Sequence, residues 1–187
     1  MKKYIFLVLM IILIFNLGLL VNAQDQPPEI PEGFAFYRYQ YASFDISLIY
    51  PEPWINQSSQ ENGILIYLPE YQGTLIFRAT PLFGEEYTLA ELWAENMENL
   101  KLAGAVFLES APDLLSGFPA YRTLFTMKFG AQTLKYIVYS ILVNDLYYSF
   151  NFSTQEAEFG KYLNEVIKIA RPACACTHAD RSIKINK

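Results

Sequence analysis

The sequence predicts an α+β domain, an antiparallel sheet with helices packed on it, and three observations carry that expectation. Apolar residues alternate with a period of two in a series of short runs, among them Phe44, Ile46 and Leu48 set against Asp45, Ser47 and Ile49. Two segments alone switch to helical spacing. The strands of the second half are joined by connections of hairpin length, which antiparallel neighbours need and parallel crossovers cannot use.

The first element is not part of the fold. Lys2 and Lys3 precede an uncharged apolar run over residues 4–21, followed by Val21-Asn22-Ala23. A positive start, an apolar middle and small residues before a cut mark residues 1–23 as a secretory signal, with cleavage expected after Ala23. The run is long enough that the same residues 4–21 would serve as an N-terminal anchor and membrane tether if retained. No cysteine stands near the cut, which argues against a lipid-anchored terminus. Removing Lys2 and Lys3 moves the net charge from −5 to −7. An acidic exported chain is a poor nucleic-acid binder, because phosphate recognition needs clustered Lys and Arg, so no nucleic acid is expected as a partner. Residues 24–33, QDQPPEIPEG, are polar and rich in proline and read as a linker.

The domain is expected over residues 34–170. FAFYRYQYASFDISLIYP holds one or two strands. Pro51 and Pro53 stop the strand, since neither can donate to a ladder, and Trp54 is a large side chain delivered just past its end. GILIYLPE and GTLIFRAT suit a hairpin turning near Tyr71-Gln72-Gly73, and Pro81 and Gly84 close the section. In TLAELWAENMENLKLAG, Leu89, Leu92, Trp93, Asn96, Met97 and Leu100 share one helical face. Thr88 and Glu91 form a capping box, and Gly104 ends the helix. Four strand runs follow, and the last three, closed by Gly130-Ala131-Gln132 and Asn144-Asp145, read as a meander. Along it Tyr121, Thr123, Phe125, Met127 and Phe129 share a face, as do Leu146, Tyr148, Phe150 and Phe152. A second helix is expected after a Ser153/Glu156 capping box, with Phe159, Tyr162, Leu163, Val166 and Ile167 as its apolar stripe. Each large member of that stripe contributes on the order of 1.5–3 kcal/mol if fully buried, so the helix must dock on the sheet to be stable. Residues 171–187 are read as a flexible tail.

These pieces resemble the PsbP-like domain family. The matching residues are the strand ending Ile49-Tyr50-Pro51-Glu52-Pro53-Trp54, the helix opening TLAEL, the loop LLSGFPAYR over 114–122, the paired aromatic strands, and the closing helix YLNEVIKIA. The resemblance runs from Tyr41 to about Ala170. It implies an α-β-α sandwich around a central antiparallel sheet and a non-catalytic role in binding or assembly outside the cytoplasm. The plain export leader gives no tie to photosynthesis.

An enzyme would need a nucleophile with its base, or a metal cluster. The single histidine, His178, lies beyond the last helix, so a triad would depend on the tail. Cys174, Cys176 and His178 form C-x-C-x-H, soft ligands suited to zinc or copper, yet the spacing lacks the C-x-x-C turn and a fourth ligand. No catalytic, cofactor or metal residue is assigned. Glu85, Glu86, Glu91, Glu95 and Glu98 gather around the first helix, where a solvated face near the helix N-terminus explains them and a patch for a basic partner is the sharper reading. Tyr136, Tyr139 and Tyr147 would line a partner groove if no helix covers them. Asn56-Gln57-Ser58 and Asn151-Phe152-Ser153 match the glycosylation pattern. The expected function is an exported binding module acting through protein–protein contact in the envelope or extracellular space. The alternative is a carrier of a small ligand or metal.

Overall fold

The structure, a computed structural model, describes residues 30–41, 44–59, 63–170 and 183–185. Within them the chain forms β1 (Phe34–Tyr41), β2 (Phe44–Pro51), β3 (Ile55–Asn56), β4 (Ile64–Tyr67) and β5 (Gly73–Pro81), with a 3-10 turn at Pro69–Tyr71. Helix α1 (Leu89–Leu102) follows. Then come β6 (Val106–Leu115), β7 (Phe118–Phe129), β8 (Gln132–Val143), β9 (Leu146–Gln155), helix α2 (Phe159–Ala170) and β10 (Ile183–Ile185). The leader, most of the linker, and Cys174, Cys176 and His178 lie outside the described residues.

Seven strands pair antiparallel in the order β3-β4-β5-β9-β8-β7-β6. The meander closes through tight turns. Asn144 and Asp145 both take positive φ (48° and 58°), as do Ser116 and Gly117 (52° and 84°), the backbone that a two-residue hairpin between twisted strands requires. β5 joins the sheet beside β9, and β6 forms the far edge, so the chain between them must cross about four strand spacings, on the order of 19 Å. Helix α1 makes that crossing over one face. Its N-terminus carries the expected box: Thr88 Oγ1 accepts from Glu91 N, and Glu91 Oε2 accepts from Thr88 N. At its end Gly104, at φ 89°, donates to Lys101 O while Ala105 donates to Leu100 O, a Schellman closure.

The pleat assigns the faces. Phe77, Tyr139 and Phe150 align across β5, β8 and β9 and meet edge to face at ring separations of 6.0 and 6.1 Å. This face carries the core, filled from outside by Ile46, Leu48 and Tyr50 of β2, by Trp54, and by Phe159, Tyr162 and Val166 of α2. Phe152 against Phe159 (5.5 Å) and Tyr162 Oη donating to Gln72 Oε1 (2.8 Å) seat the helix. Trp54, 5% exposed, turns into this core past the Pro51–Pro53 stop. Helix α1 lies on the opposite face.

The α+β architecture with a central antiparallel sheet is therefore as expected, with three differences. β1 and β2 do not join the main sheet but form a separate three-stranded sheet with β10. The C-terminal segment supplies that third strand: Ile183, Lys184 and Ile185 pair with Leu48, Ser47 and Ile46. The Ser153/Glu156 capping box does not form. Ser153 is spent in β9, its hydroxyl 2.8 Å from Thr74 Oγ1, while Glu156 N donates to Thr133 O, and α2 starts only at Phe159. A ladder on both sides of β9 outweighs one local cap.

Candidate functional site

The face beneath α1 is occupied. Trp93 stacks on Tyr121 with ring centroids 4.7 Å apart at 19°, and its Nε1 donates to Thr123 Oγ1 at 3.1 Å. Asn96 donates to the Tyr147 hydroxyl, which also meets Ser140 Oγ at 2.8 Å. Burial raises the Tyr147 pKa above its ordinary value, against the hydrogen bonds from Ser140 and Asn96, so the phenol stays neutral near pH 7. Met97 of α1 and Val138 of β8 are also buried. Beyond the helix Phe125 stacks on Tyr136 at 4.8 Å.

The three tyrosines singled out in the sequence are thus not brought together as a groove. Tyr139 points to the opposite face and lies in the core, because it stands an odd number of residues from Tyr136 on one strand. Tyr147 is bonded by α1, and Tyr136 alone is left beside it on that face. The acidic residues around α1 divide by role. Glu91 completes the cap, and the Thr88 hydrogen bonds hold its pKa below the ordinary carboxylate value. Glu98 pairs with Lys101 at 2.6 Å. Glu85 accepts a hydrogen bond from the Tyr87 phenol, which raises the Tyr87 pKa, and Glu95 and Glu91 add to the effect by charge. Among the described residues no group of three or more His, Cys, Asp or Glu is placed to hold a metal. Of the two sequons, Asn56 Oδ1 accepts from Ser58 N at 2.9 Å, and Asn151, within β9, donates to Ser149 Oγ at 3.1 Å.

The strands instead bring three connections to one end of the main sheet: the β5–α1 loop, the Asn144-Asp145 turn and the Ser116-Gly117 turn. Phe83 stands at the tip of the first, 90% exposed and at φ 52°, a conformation a bulky residue adopts only when its surroundings impose it. Two backbone bonds impose it here. Leu82 N donates to Asp145 O and Glu85 N donates to Leu82 O, both at 3.0 Å, so the loop is pinned to the neighbouring hairpin. Glu85 and Glu86 follow Phe83 in the loop and Asp145 lies in the turn to which the loop is pinned, and all three are exposed. Leu114, at the same end on β6, is exposed as well, and Arg122 fixes that edge strand through Glu109 and through Asp113 Oδ2 at 3.2 Å. Sequence reading passed over Phe83. The signal was present in F-G-E-E-Y, an aromatic residue before a turn glycine, amid carboxylates, between a strand and a helix cap.

This architecture is the PsbP-like fold. The chain superposes on cyanobacterial PsbP (CyanoP) from a Synechocystis species with a TM-score of 0.60 and 12% identity, covering 87% of this chain and 99% of that one. It superposes on LpqN, described as involved in cell envelope biogenesis of Mycobacterium tuberculosis, with a TM-score of 0.59 and 12% identity over 82% and 92% of the two chains. A protein of Bacteroides thetaiotaomicron matches at 0.51 and 12% identity, covering 76% of this chain and 45% of that one. No protein-family model matches the sequence. No curated protein matches it either.

Proposed function

We propose that this chain is a non-catalytic contact module that works outside the cytoplasm and grips a protein partner with the end that carries Phe83. The residue 1–23 leader delivers the domain across the membrane and, when retained, holds it there through residues 4–21. The observation that carries the reading is a large aromatic side chain held in solvent on a pinned, strained turn. A folded domain gains nothing from such a placement, whereas an interface gains a pre-ordered anchor of the type that dominates binding energy. The flanking carboxylates favour a partner with a basic rim around an apolar pocket. The fold shared with LpqN, named for envelope biogenesis, is consistent with a role in the envelope.

The test is retention of envelope proteins by the full chain and by Phe83→Ser and Glu85→Lys/Glu86→Lys variants. The reading expects one partner, with affinity lowered roughly 30-fold or more by Phe83→Ser, in keeping with loss of a hot-spot aromatic. The unfolding midpoint should not change, because the ring makes almost no intramolecular contact. Equal binding by all three proteins, or a specific turnover by the purified chain, refutes it.

A further inference from the structure

The exposed apolar side chains are divided unequally between the two ends of the domain. Among the described residues, only Phe83, Tyr87 and Leu114 of the exposed large hydrophobics lie at the partner end. The others belong to the opposite half, as the strand register shows. Val106 pairs with Thr126, Thr126 with Lys135, Lys135 with Thr154 and Thr154 with Gly73, which makes one row across the sheet. Phe129 closes the β7–β8 hairpin just past that row, and Tyr71 precedes it in the β4–β5 turn. Leu102 ends α1 four residues before Val106. Their exposures decide the matter: Leu102 is 87%, Val106 61%, Tyr71 61% and Phe129 52% accessible, each a side chain the core does not use.

The N-terminal chain leaves the domain at this same half. Phe34 pairs with Pro51, Glu52 N donates to Gly33 O at 2.9 Å, and Ile55, four residues after Pro51, pairs with Tyr67 beside the row. Ile30 and Phe34 are themselves exposed. Between Ala23 and Ile30 stand six residues, which fully extended reach on the order of 25 Å, so a chain held by residues 4–21 keeps this end close to the bilayer.

From this we infer that the Leu102/Val106/Phe129/Tyr71 end is a lipid-contacting surface, which seats on the bilayer interface and turns the Phe83 end outward. The inference rests on the tether reading given above. The side chains suit the role: aliphatic tips enter the acyl boundary, and aromatic rings favour the headgroup level. Charges of both signs stand at this end, Glu98 paired with Lys101, Glu158 with Lys161, and Glu70 and Lys128 besides, so the end carries no one-sided charge and the contact is apolar and not an attraction to anionic lipid. It should therefore be insensitive to salt.

The experiment uses the full chain with Cys174→Ser and Cys176→Ser, a single cysteine introduced by Leu102→Cys, Phe129→Cys or Phe83→Cys, and a bimane label on it. The protein is reconstituted in phosphatidylcholine vesicles that carry brominated acyl chains. The expected result is an at least about two-fold loss of emission at positions 102 and 129 with little change at 83, as shallow insertion of this end requires. Leu102→Glu with Val106→Glu should abolish the loss at 129 while the circular dichroism stays unchanged. If the chain sediments with the vesicles but 83 is quenched as strongly as 102, or neither is quenched, the orientation is wrong and the tether stands. A chain that does not sediment with the vesicles overturns both. A blue shift at 102 that grows with protein concentration in the absence of lipid assigns the surface to a second copy and likewise overturns the inference.

Discussion

Replacing Trp93 by alanine isolates the contact that holds α1 across the sheet. The ring stacks on Tyr121 at 4.7 Å, an arrangement worth about 0.5–1.5 kcal/mol beyond its area. The bond from Nε1 to Thr123 Oγ1 adds about 0.5–1.5 kcal/mol. Thr123 keeps a second partner in Ser110 Oγ at 3.0 Å, so truncation leaves no orphaned hydroxyl there. Trp93 is only partly buried, which places the total below the roughly 3–5 kcal/mol of a fully buried Trp→Ala change. The expected loss is about 2–3 kcal/mol for Trp93→Ala. For Trp93→Phe, which keeps a ring over Tyr121 and gives up the hydrogen bond, it is about 1 kcal/mol. Urea unfolding followed through Trp54, buried on the other side of the sheet, reads both values, and an unchanged m value shows that the denatured state is not altered. Equal costs for the two substitutions, or a cost under about 0.5 kcal/mol for Trp93→Ala, refutes the assignment of α1 to this face.

Three further outcomes follow from the same geometry. Thr88→Ala should cost about 1 kcal/mol in urea unfolding, because the helix N-terminus loses its side-chain acceptor. Gly63→Ala should destabilise by about 2 kcal/mol or more, since the residue sits at φ 71° and an added Cβ would stand 2.5 Å from the Phe77 carbonyl oxygen, a backbone atom that cannot turn aside. Tyr147 has a raised folded-state pKa, so its contribution is fully present below the unfolded value near 10 and is lost as pH rises through the folded value. The unfolding midpoint should fall above pH 10, and Tyr147→Phe should flatten that part of the alkaline fall while lowering stability near pH 7.

Much of the scaffold could be read in the residues because its signals are local. The period-two runs of β7, β8 and β9, the Thr88/Glu91 box and the Gly104 stop each specify backbone within a few residues, and each is found in place. What could not be read depends on partners distant in sequence. Ser153 carries a cap signature, but its hydroxyl is claimed by Thr74, far away in the chain. Whether β1 and β2 extend the main sheet or pack across it is decided by the core they cover, since the alternation of Ile46 and Leu48 suits both. Ile183–Ile185 is too short a strand to be visible without β2 beside it. Phe83 is half legible for a different reason: F-G-E-E-Y marks a turn amid carboxylates, but an aromatic residue between strand and helix reads as core until its surroundings show that nothing covers it.

A benzoylphenylalanine placed at position 83 or at position 102 of the full chain, irradiated in the cells that produce it, tests the two-ended account most directly. The account expects a discrete protein adduct from position 83, lost with Glu85→Lys/Glu86→Lys, and lipid adducts from position 102. Protein adducts from 102 with none from 83 would contradict it.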